Sequence, residues 1–235
     1  MHDLLLIACA WLAYGAVHSW LAADGVKAWV QRRWSGIAPA YRLVYNGLAA
    51  LLLIPPLWLT LRSPGEALWH WPGWLAWPAA AIAVAGFVWS QRWYDTGEFL
   101  GLRQWRRRDS REHEGFVLSP LHRHVRHPWY SLGLLLLWTR DLNAAWLTTA
   151  VALTVYVVIG SRIEERKLIA RYGDAYREYM RRVPALIPWP GRHLSPAESQ
   201  ALQQAARIEG QPPLGGANAL PTAAAPVAPG QPLHI

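Results

Sequence analysis

The stretch Trp129-Tyr-Ser-Leu-Gly-Leu-Leu-Leu-Leu-Trp138 is followed, after the polar turn Thr139-Arg-Asp-Leu-Asn143, by Ala144-Ala-Trp-Leu-Thr-Thr-Ala-Val-Ala-Leu-Thr-Val-Tyr-Val-Val-Ile-Gly160. Two apolar arms about a short polar turn predict a helical hairpin embedded in a bilayer, because neither arm has a polar face to offer water. Three more long apolar runs, at 3–23, 41–61 and 74–91, come close to the roughly 20 residues that a spanning helix needs. The expected fold class is all-α: a polytopic integral membrane protein with about five transmembrane helices, the last two forming the hairpin, plus amphipathic cytoplasmic helices.

The rest of the chain sorts around these runs. Of 235 residues 53% are hydrophobic and 16% charged, and mean hydropathy is only +0.06 because apolar spans are averaged with a polar loop and tail. Residues 1–93 read as an N-terminal three-helix membrane region. Residues 94–188 read as a long polar loop, the hairpin and a C-terminal amphipathic helix. Residues 189–235, rich in Pro, Ala, Gly and Gln, read as a disordered tail. Within these regions Pro55-Pro56 is expected to kink or end the second span. Segment 105–116 reads as a flexible solvated loop, and the glycines of Tyr94-Asp-Thr-Gly-Glu-Phe-Leu-Gly-Leu-Arg-Gln104 offer a close backbone approach to a ligand. Gly173 is expected to stop the last long helix ahead of a short amphipathic one over 174–182.

The net charge is +8, and its distribution decides what it means. Lys27, Arg32, Arg33 and Arg42 flank the first loop, and eight arginines lie between Arg92 and Arg126, whereas only Arg62 and Arg140 fall on the other side. This asymmetry follows the positive-inside rule: it predicts a cytoplasmic C-terminus and membrane-lipid headgroups as partners, in a bacterial inner membrane, rather than a nucleic acid. Cys9 is the single cysteine, which excludes an intrachain disulfide and a cysteine-based zinc site. The first apolar run lacks a positive n-region after Met1-His-Asp and is expected to be an uncleaved span.

Chemistry concentrates at the feet of the hairpin. His122-Arg-His-Val-Arg-His-Pro-Trp-Tyr130 precedes the first arm, and Glu164-Glu165 follows the second. Polar clusters at a membrane mouth are expensive to keep, which marks them as a candidate site. Arginine and histidine suit a carboxylate, the acidic pair suits ribose hydroxyls or an ammonium group, and aromatic rings suit a base or a sulfonium. The alternative at this point is that Arg123 and Arg126 anchor headgroups while Glu164-Glu165 pair with Arg166 and Lys167 on a solvated helix end. His122, His124 and His127 invite a metal reading, but no cysteine or nearby carboxylate completes the set, so no metal site is expected.

Arg126-His-Pro-Trp-Tyr130, Glu164-Glu165, Leu168, Gly173, Tyr176, Tyr179 and Val183-Pro-Ala-Leu-Ile-Pro188 together resemble the isoprenylcysteine carboxyl methyltransferase family and its phospholipid methyltransferase relatives. Phe99-Leu-Gly-Leu-Arg-Gln104 and His18-Ser19 are similar to the branch of methanethiol S-methyltransferases and NnrU-like membrane proteins. The resemblance implies S-adenosylmethionine as cofactor, bound at the cytoplasmic ends of the helices by Gln104, His124, Arg126, His127, Pro128, Tyr130, Glu164 and Glu165. It implies a small or lipophilic methyl acceptor, a thiol or a prenylcysteine-like carboxylate, with His127 or His124 as base. The alternative from the same branch is a non-catalytic membrane protein with an assembly or stress-related role. Two departures stand out: His122 where the family usually has tyrosine, and Leu132 where it has a small residue.

Overall fold

A computed structural model describes residues 2–108 and 116–209. Among the described residues the regular structure is helical, in the order α1 (His2–Ala22), α2 (Asp24–Arg33), α3 (Tyr41–Arg62), α4 (Gly73–Ser90), α5 (Thr96–Leu100), α6 (Leu102–Arg107), α7 (Pro128–Trp138), α8 (Ala144–Arg182) and α9 (Pro196–Glu209). Four of these helices, α1, α3, α4 and α8, are long and apolar enough to cross a membrane. They present leucine, valine and tryptophan outward, including Leu12, Leu51, Trp77 and Val155, as helices surrounded by lipid do.

The fifth expected span is only half a span. With 11 residues, α7 rises roughly 16 Å, about half the apolar thickness of a bilayer. Its register against α8 is set at both ends: His127 meets Glu165 at 3.1 Å and Trp138 Nε1 donates to Thr154 Oγ1 at 2.9 Å. Eleven residues separate these contacts on either arm, so the two helices run antiparallel without slippage. Residues 139–143 cover the remaining distance. There Leu142 pairs with Trp69 in an isolated antiparallel bridge, and Asn143 caps α8 by accepting from Trp146 N at 2.9 Å. The hairpin tip is thus clipped to the loop between α3 and α4.

The helices form two packed sets joined through the hairpin. α1 lies against both α3 and α8, while α4 lies against α7. A buried polar knot pins the first set: Trp11 Nε1 donates to Thr149 Oγ1 at 3.0 Å, and Thr149 and Thr60 hydroxyls meet at 2.8 Å. Pro55 and Pro56 lie within α3 rather than ending it. Each proline removes one backbone donor, and the Thr60 hydroxyl donates to Pro56 O at 2.8 Å just beyond the break. In the second set a Cβ at Gly86 would lie 2.9 Å from both δ-methyls of Leu132, so Leu132 fills a notch that only glycine leaves open.

Beyond the apolar layer α8 breaks at Gly173, whose φ of 48° and ψ of −127° no helix contains, as the sequence predicts. The chain after the break buries Tyr176 and Tyr179 in a cluster with Phe116, Leu118, Tyr172, Val183, Leu194 and Ala206. Here the expectation of a disordered tail from 189 needs correction. Residues 196–209 form α9, and its Leu202, Ala205 and Ala206 lie on the tyrosine cluster. Ser195 and Glu198 cap it reciprocally, with Glu198 N donating to Ser195 Oγ at 3.2 Å and Ser195 N to Glu198 Oε2 at 2.7 Å. The rest of that tail, 210–235, and the loop residues 109–115 lie outside the described residues.

The glycine-bearing segment after α4 also differs from its expected use. Gly101 joins α5 to α6 at φ +85°, and a Cβ there would lie 2.6 Å from the backbone nitrogen of Leu43. Its close approach is to α3, not to a ligand. Arg42 and Asn46 reinforce the contact by donating to Phe99 O at 3.1 and 3.0 Å. A Gly101→Ala variant combines left-handed strain with a backbone clash and is expected to lose about 2–4 kcal/mol of stability. Thermal unfolding in detergent checks this, and a variant as stable as the parent would refute it.

Candidate functional site

The site begins with a short backbone pairing. Arg126 N donates to Pro184 O at 2.9 Å and His127 N to Ala185 O at 3.0 Å, so the Val183-Pro-Ala185 segment holds the entrance to α7. Pro128 then occupies the first turn of α7, where its missing N–H removes no helical bond. These constraints aim Arg126 and His127 at α8.

Arg126 and Glu165 form a buried ion pair, with side chains 10% and 9% exposed. The guanidinium donates through Nε to Glu165 Oε1 at 2.7 Å, and its Nη2 stands 2.7 Å from the same oxygen. Nη1 donates to Val183 O at 2.5 Å and to Met180 O at 3.2 Å. Two carbonyls at a helix end are thereby satisfied together with the carboxylate. Removing one partner of such a pair costs about 3–5 kcal/mol, because the other is left charged and buried. Glu165 is therefore committed to the fold as well as to any ligand.

His127 lies between the two carboxylates. Its Nε2 is 3.1 Å from Glu165 Oε1 and its Nδ1 3.6 Å from Glu164 Oε2. Tyr130 stacks on the imidazole with ring centroids 5.5 Å apart, and its hydroxyl donates to Glu164 Oε2 at 3.3 Å. Glu164 is 48% exposed and Tyr130 37% exposed, and the distances to Glu164 are long. The arrangement is graded: a buried arginine–carboxylate pair inside, an imidazole above it, and an accessible carboxylate and phenol at the opening.

Five of the expected residues, Arg126, His127, Tyr130, Glu164 and Glu165, thus meet in contact, with Pro128 setting the start of their helix. Two do not join them. His124 stacks on His193 at a centroid distance of 5.7 Å, and partial burial, then Arg123 and His193, hold its pKa below the ordinary value. Gln104 is buried near α5, where its amide donates to Glu98 O at 3.3 Å while its Oε1 has no hydrogen-bond partner.

His122 and Leu132, the two departures from the family pattern, are both accounted for by packing. Leu132 turns to Gly86 as described. His122 caps the turn Pro120–Arg123: its Nδ1 accepts from Ser119 N at 3.3 Å and lies 2.8 Å from Ser119 Oγ, while its Nε2 faces Tyr94 OH at 3.4 Å. Tyr179 OH donates to its carbonyl at 2.6 Å. Burial, and then the nearby His127, push its pKa down from 6.5 to about 4.

A further set of side chains, on α1, α3 and α8, escaped the sequence reading as a group. Tyr14 and His18 on α1, Tyr45 on α3 and Tyr156 on α8 pack ring to ring, and Tyr45 OH lies 2.7 Å from His18 Nε2. The signal was present as polar residues at four-residue spacing inside apolar runs: Tyr14 with His18, Tyr41 with Tyr45, and Tyr156 with Gly160 and Glu164.

With this geometry in place, similarity to known proteins fixes the family. The chain is 34% identical over 200 residues to the methanethiol S-methyltransferase of Mycobacterium tuberculosis, covering 77% of this chain and 76% of that protein. It is 33% identical over 189 residues to methanethiol S-methyltransferase 2 of Bradyrhizobium diazoefficiens, covering 73% and 68% of the two chains. A Pseudomonas methanethiol S-methyltransferase is 29% identical over 188 residues, covering 74% and 69%. No protein-family model matches the chain, and no solved structure does. The chain belongs to the methanethiol S-methyltransferase family and is a methyltransferase.

The buried His122 sets a pH dependence. The folded protein keeps it neutral while the unfolded chain takes up a proton as pH falls below 6.5, so its contribution is full above that value and is lost toward pH 4. The loss from this group is expected to be about 3 kcal/mol. Denaturation at stepped pH should show it in the parent and lack that component in His122→Gln; parallel profiles would refute the assignment.

Proposed function

We propose that this methyltransferase takes its methyl group from S-adenosylmethionine and transfers it to a small thiol, with the graded cluster at the foot of the hairpin as the cofactor clamp. The observation that carries this is Glu164, an accessible carboxylate beside Tyr130 and His127 whose own contacts are long. Such a group suits the ammonium or ribose hydroxyls of the cofactor, and Tyr130 offers a ring face to its cationic sulfur. Bound there, the cofactor would supply a methyl carbon activated by its bond to a sulfonium.

The protein's own contribution is alignment and exclusion of water, and no covalent intermediate with the chain is required. Arg126 and Glu165 hold His127 in place, and His127 in turn holds Tyr130 by stacking. Both nitrogens of His127 face carboxylates, which favours a clamping role over that of a free base. Gln104 and His124 stand apart from this cluster and are proposed as contacts only through movement of their segments.

The thiol reading draws support from the names of the relatives and is preferred to a prenylcysteine-like carboxylate. The same names disfavour the non-catalytic alternative. The concentration of arginine around residues 92–126 supports a cytoplasmic site and C-terminus in a bacterial inner membrane. Residues 1–93 and 94–188 are proposed to act as one membrane unit, given that α1 packs on α8 and α4 on α7.

Calorimetry with S-adenosylhomocysteine on the detergent-purified chain tests the clamp. Wild type should bind, and Glu164→Gln should bind about 10–100-fold more weakly, as expected for losing one charge-assisted hydrogen bond. Transfer of labelled methyl should then be seen with methanethiol ahead of prenylcysteine analogues and lipid amines. A well-folded wild type that binds no S-adenosylhomocysteine would overturn the cofactor, and transfer to amines alone would overturn the acceptor.

A further inference from the structure

Above the clamp, the inner parts of α1, α3 and α8 hold a second polar group that the clamp does not use. Tyr45 OH lies 2.7 Å from His18 Nε2, and Ser19 Oγ lies 3.2 Å from Tyr156 OH. The Tyr14 and Tyr156 rings flank the imidazole at centroid distances of 5.5 and 6.2 Å. Tyr156 is seated over Gly15, where a Cβ would stand 2.8 Å from its ring, so the ring takes the room that the missing side chain leaves. An ionisable imidazole within a spanning helix is costly, and it is usually retained for a task.

Position supplies the task. Tyr156, Gly160 and Glu164 follow one another at four-residue intervals along one face of α8, over about 12 Å. Nothing lies within 4 Å of the point where a Cβ of Gly160 would stand, so the face of α8 is uncovered at that residue, between Tyr156 and Glu164. Tyr130, bonded to Glu164 at one end of that stretch, is also in electrostatic reach of Tyr156 and Tyr45. The stretch therefore has the clamp at one end and an imidazole with a phenol at the other. The titratable and charged groups around the His18–Tyr45 pair are Tyr14 from α1, Tyr41 and Arg42 from α3, and Tyr156 from α8.

We infer that the uncovered face at Gly160 receives the acceptor and that His18, oriented by the Tyr45 hydroxyl, takes the proton of the thiol. This rests on the thiol-methylating reading above. An alkanethiol near neutral pH is mostly protonated and a weak nucleophile, so a base is needed. The S–H bond breaks with its proton passing to His18 Nδ1, the ring nitrogen farther from the Tyr45 hydroxyl (3.4 Å against 2.7 Å for Nε2), while Nε2–H donates to that hydroxyl. The electron pair left on sulfur forms the new bond to the donor's methyl carbon, and the pair of the broken methyl–sulfonium bond stays on the donor's sulfur. The proton then leaves His18 for water. Neither His127, with both nitrogens facing carboxylates, nor His124, stacked on His193, occupies such a position.

The experiment compares wild type, His18→Gln and Tyr45→Phe, all as full chains in detergent, with an alkanethiol and with an arylthiol acidic enough to be ionised at the assay pH. S-adenosylhomocysteine affinity, measured by calorimetry, should stay within about twofold in both variants, which also reports that they fold. With the alkanethiol, His18→Gln should lose about 10²–10⁴-fold in kcat/KM and Tyr45→Phe about tenfold; with the arylthiol most of each loss should disappear. The loss in His18→Gln with the alkanethiol should also shrink as the assay pH is raised and the thiol ionises without a base, a profile that a merely structural role would not give. Equal losses with both thiols, no loss with either, or loss of S-adenosylhomocysteine binding in both variants would overturn the assignment. Wild type that fails to bind S-adenosylhomocysteine would bring down the cofactor reading first, a result distinct from any of these.

Discussion

The pairing of Arg126 with Glu165 couples three parts of the chain that have no other reason to meet. Its guanidinium reaches a carboxylate on α8 and two carbonyls at the end of that same helix, while its own backbone pairs with Pro184. An ion pair this buried gains little over apolar packing in stability alone, since desolvation offsets most of the attraction. What it gives is a unique register: slide α7 along α8 by one residue and a charge is stranded. His127, Tyr130 and Glu164 take their places from that register, and the Trp138–Thr154 bond at the other end of α7 agrees with it.

Much of this was legible in the residues. Long apolar runs announced the helices, the spacing of Arg126-His-Pro-Trp-Tyr130 from Glu164-Glu165 announced their meeting, and Gly173 announced the break in α8. Other features were hidden for identifiable reasons. Composition concealed α9, because an Ala- and Gln-rich helix after several prolines looks like a tail; the pattern Ser195-Pro-Ala-Glu198 was the local signal that was passed over. The length of α7 was misread because an apolar run does not tell where a helix ends and a turn begins. Gly86 and Gly15 carry no signal at all without their partners, Leu132 and Tyr156, which are distant in sequence. His124 and Gln104 followed the family pattern in sequence but lie apart from the cluster.

The half-length α7 matters for how a membrane enzyme builds a polar site. His127 is level with Glu165, roughly 30 Å along α8 from Ala144, whereas Trp138 is level only with Thr154, so α7 is short at its Trp138 end and keeps Arg126, His127 and Tyr130 where α8 leaves its apolar section. The polar turn 139–143 then reaches the loop between α3 and α4 without help from α7 and is clipped there to Trp69. Rigid contacts thus lie at both ends of the hairpin, and the uncovered face at Gly160 lies between them.

The pairing of residues 126–127 with 184–185 also has a consequence for biosynthesis. A chain emerging from the ribosome delivers α7 and the apolar part of α8 to the membrane before Val183 has emerged to receive the Arg126 guanidinium. Only afterwards come Leu194, whose carbonyl accepts from Arg123 and whose side chain seals the tyrosine cluster, and α9, which covers it. Arg126 can meet Glu165 as soon as the two arms lie side by side, but the carbonyl of Val183 reaches its guanidinium only later, so the cluster is completed in two stages.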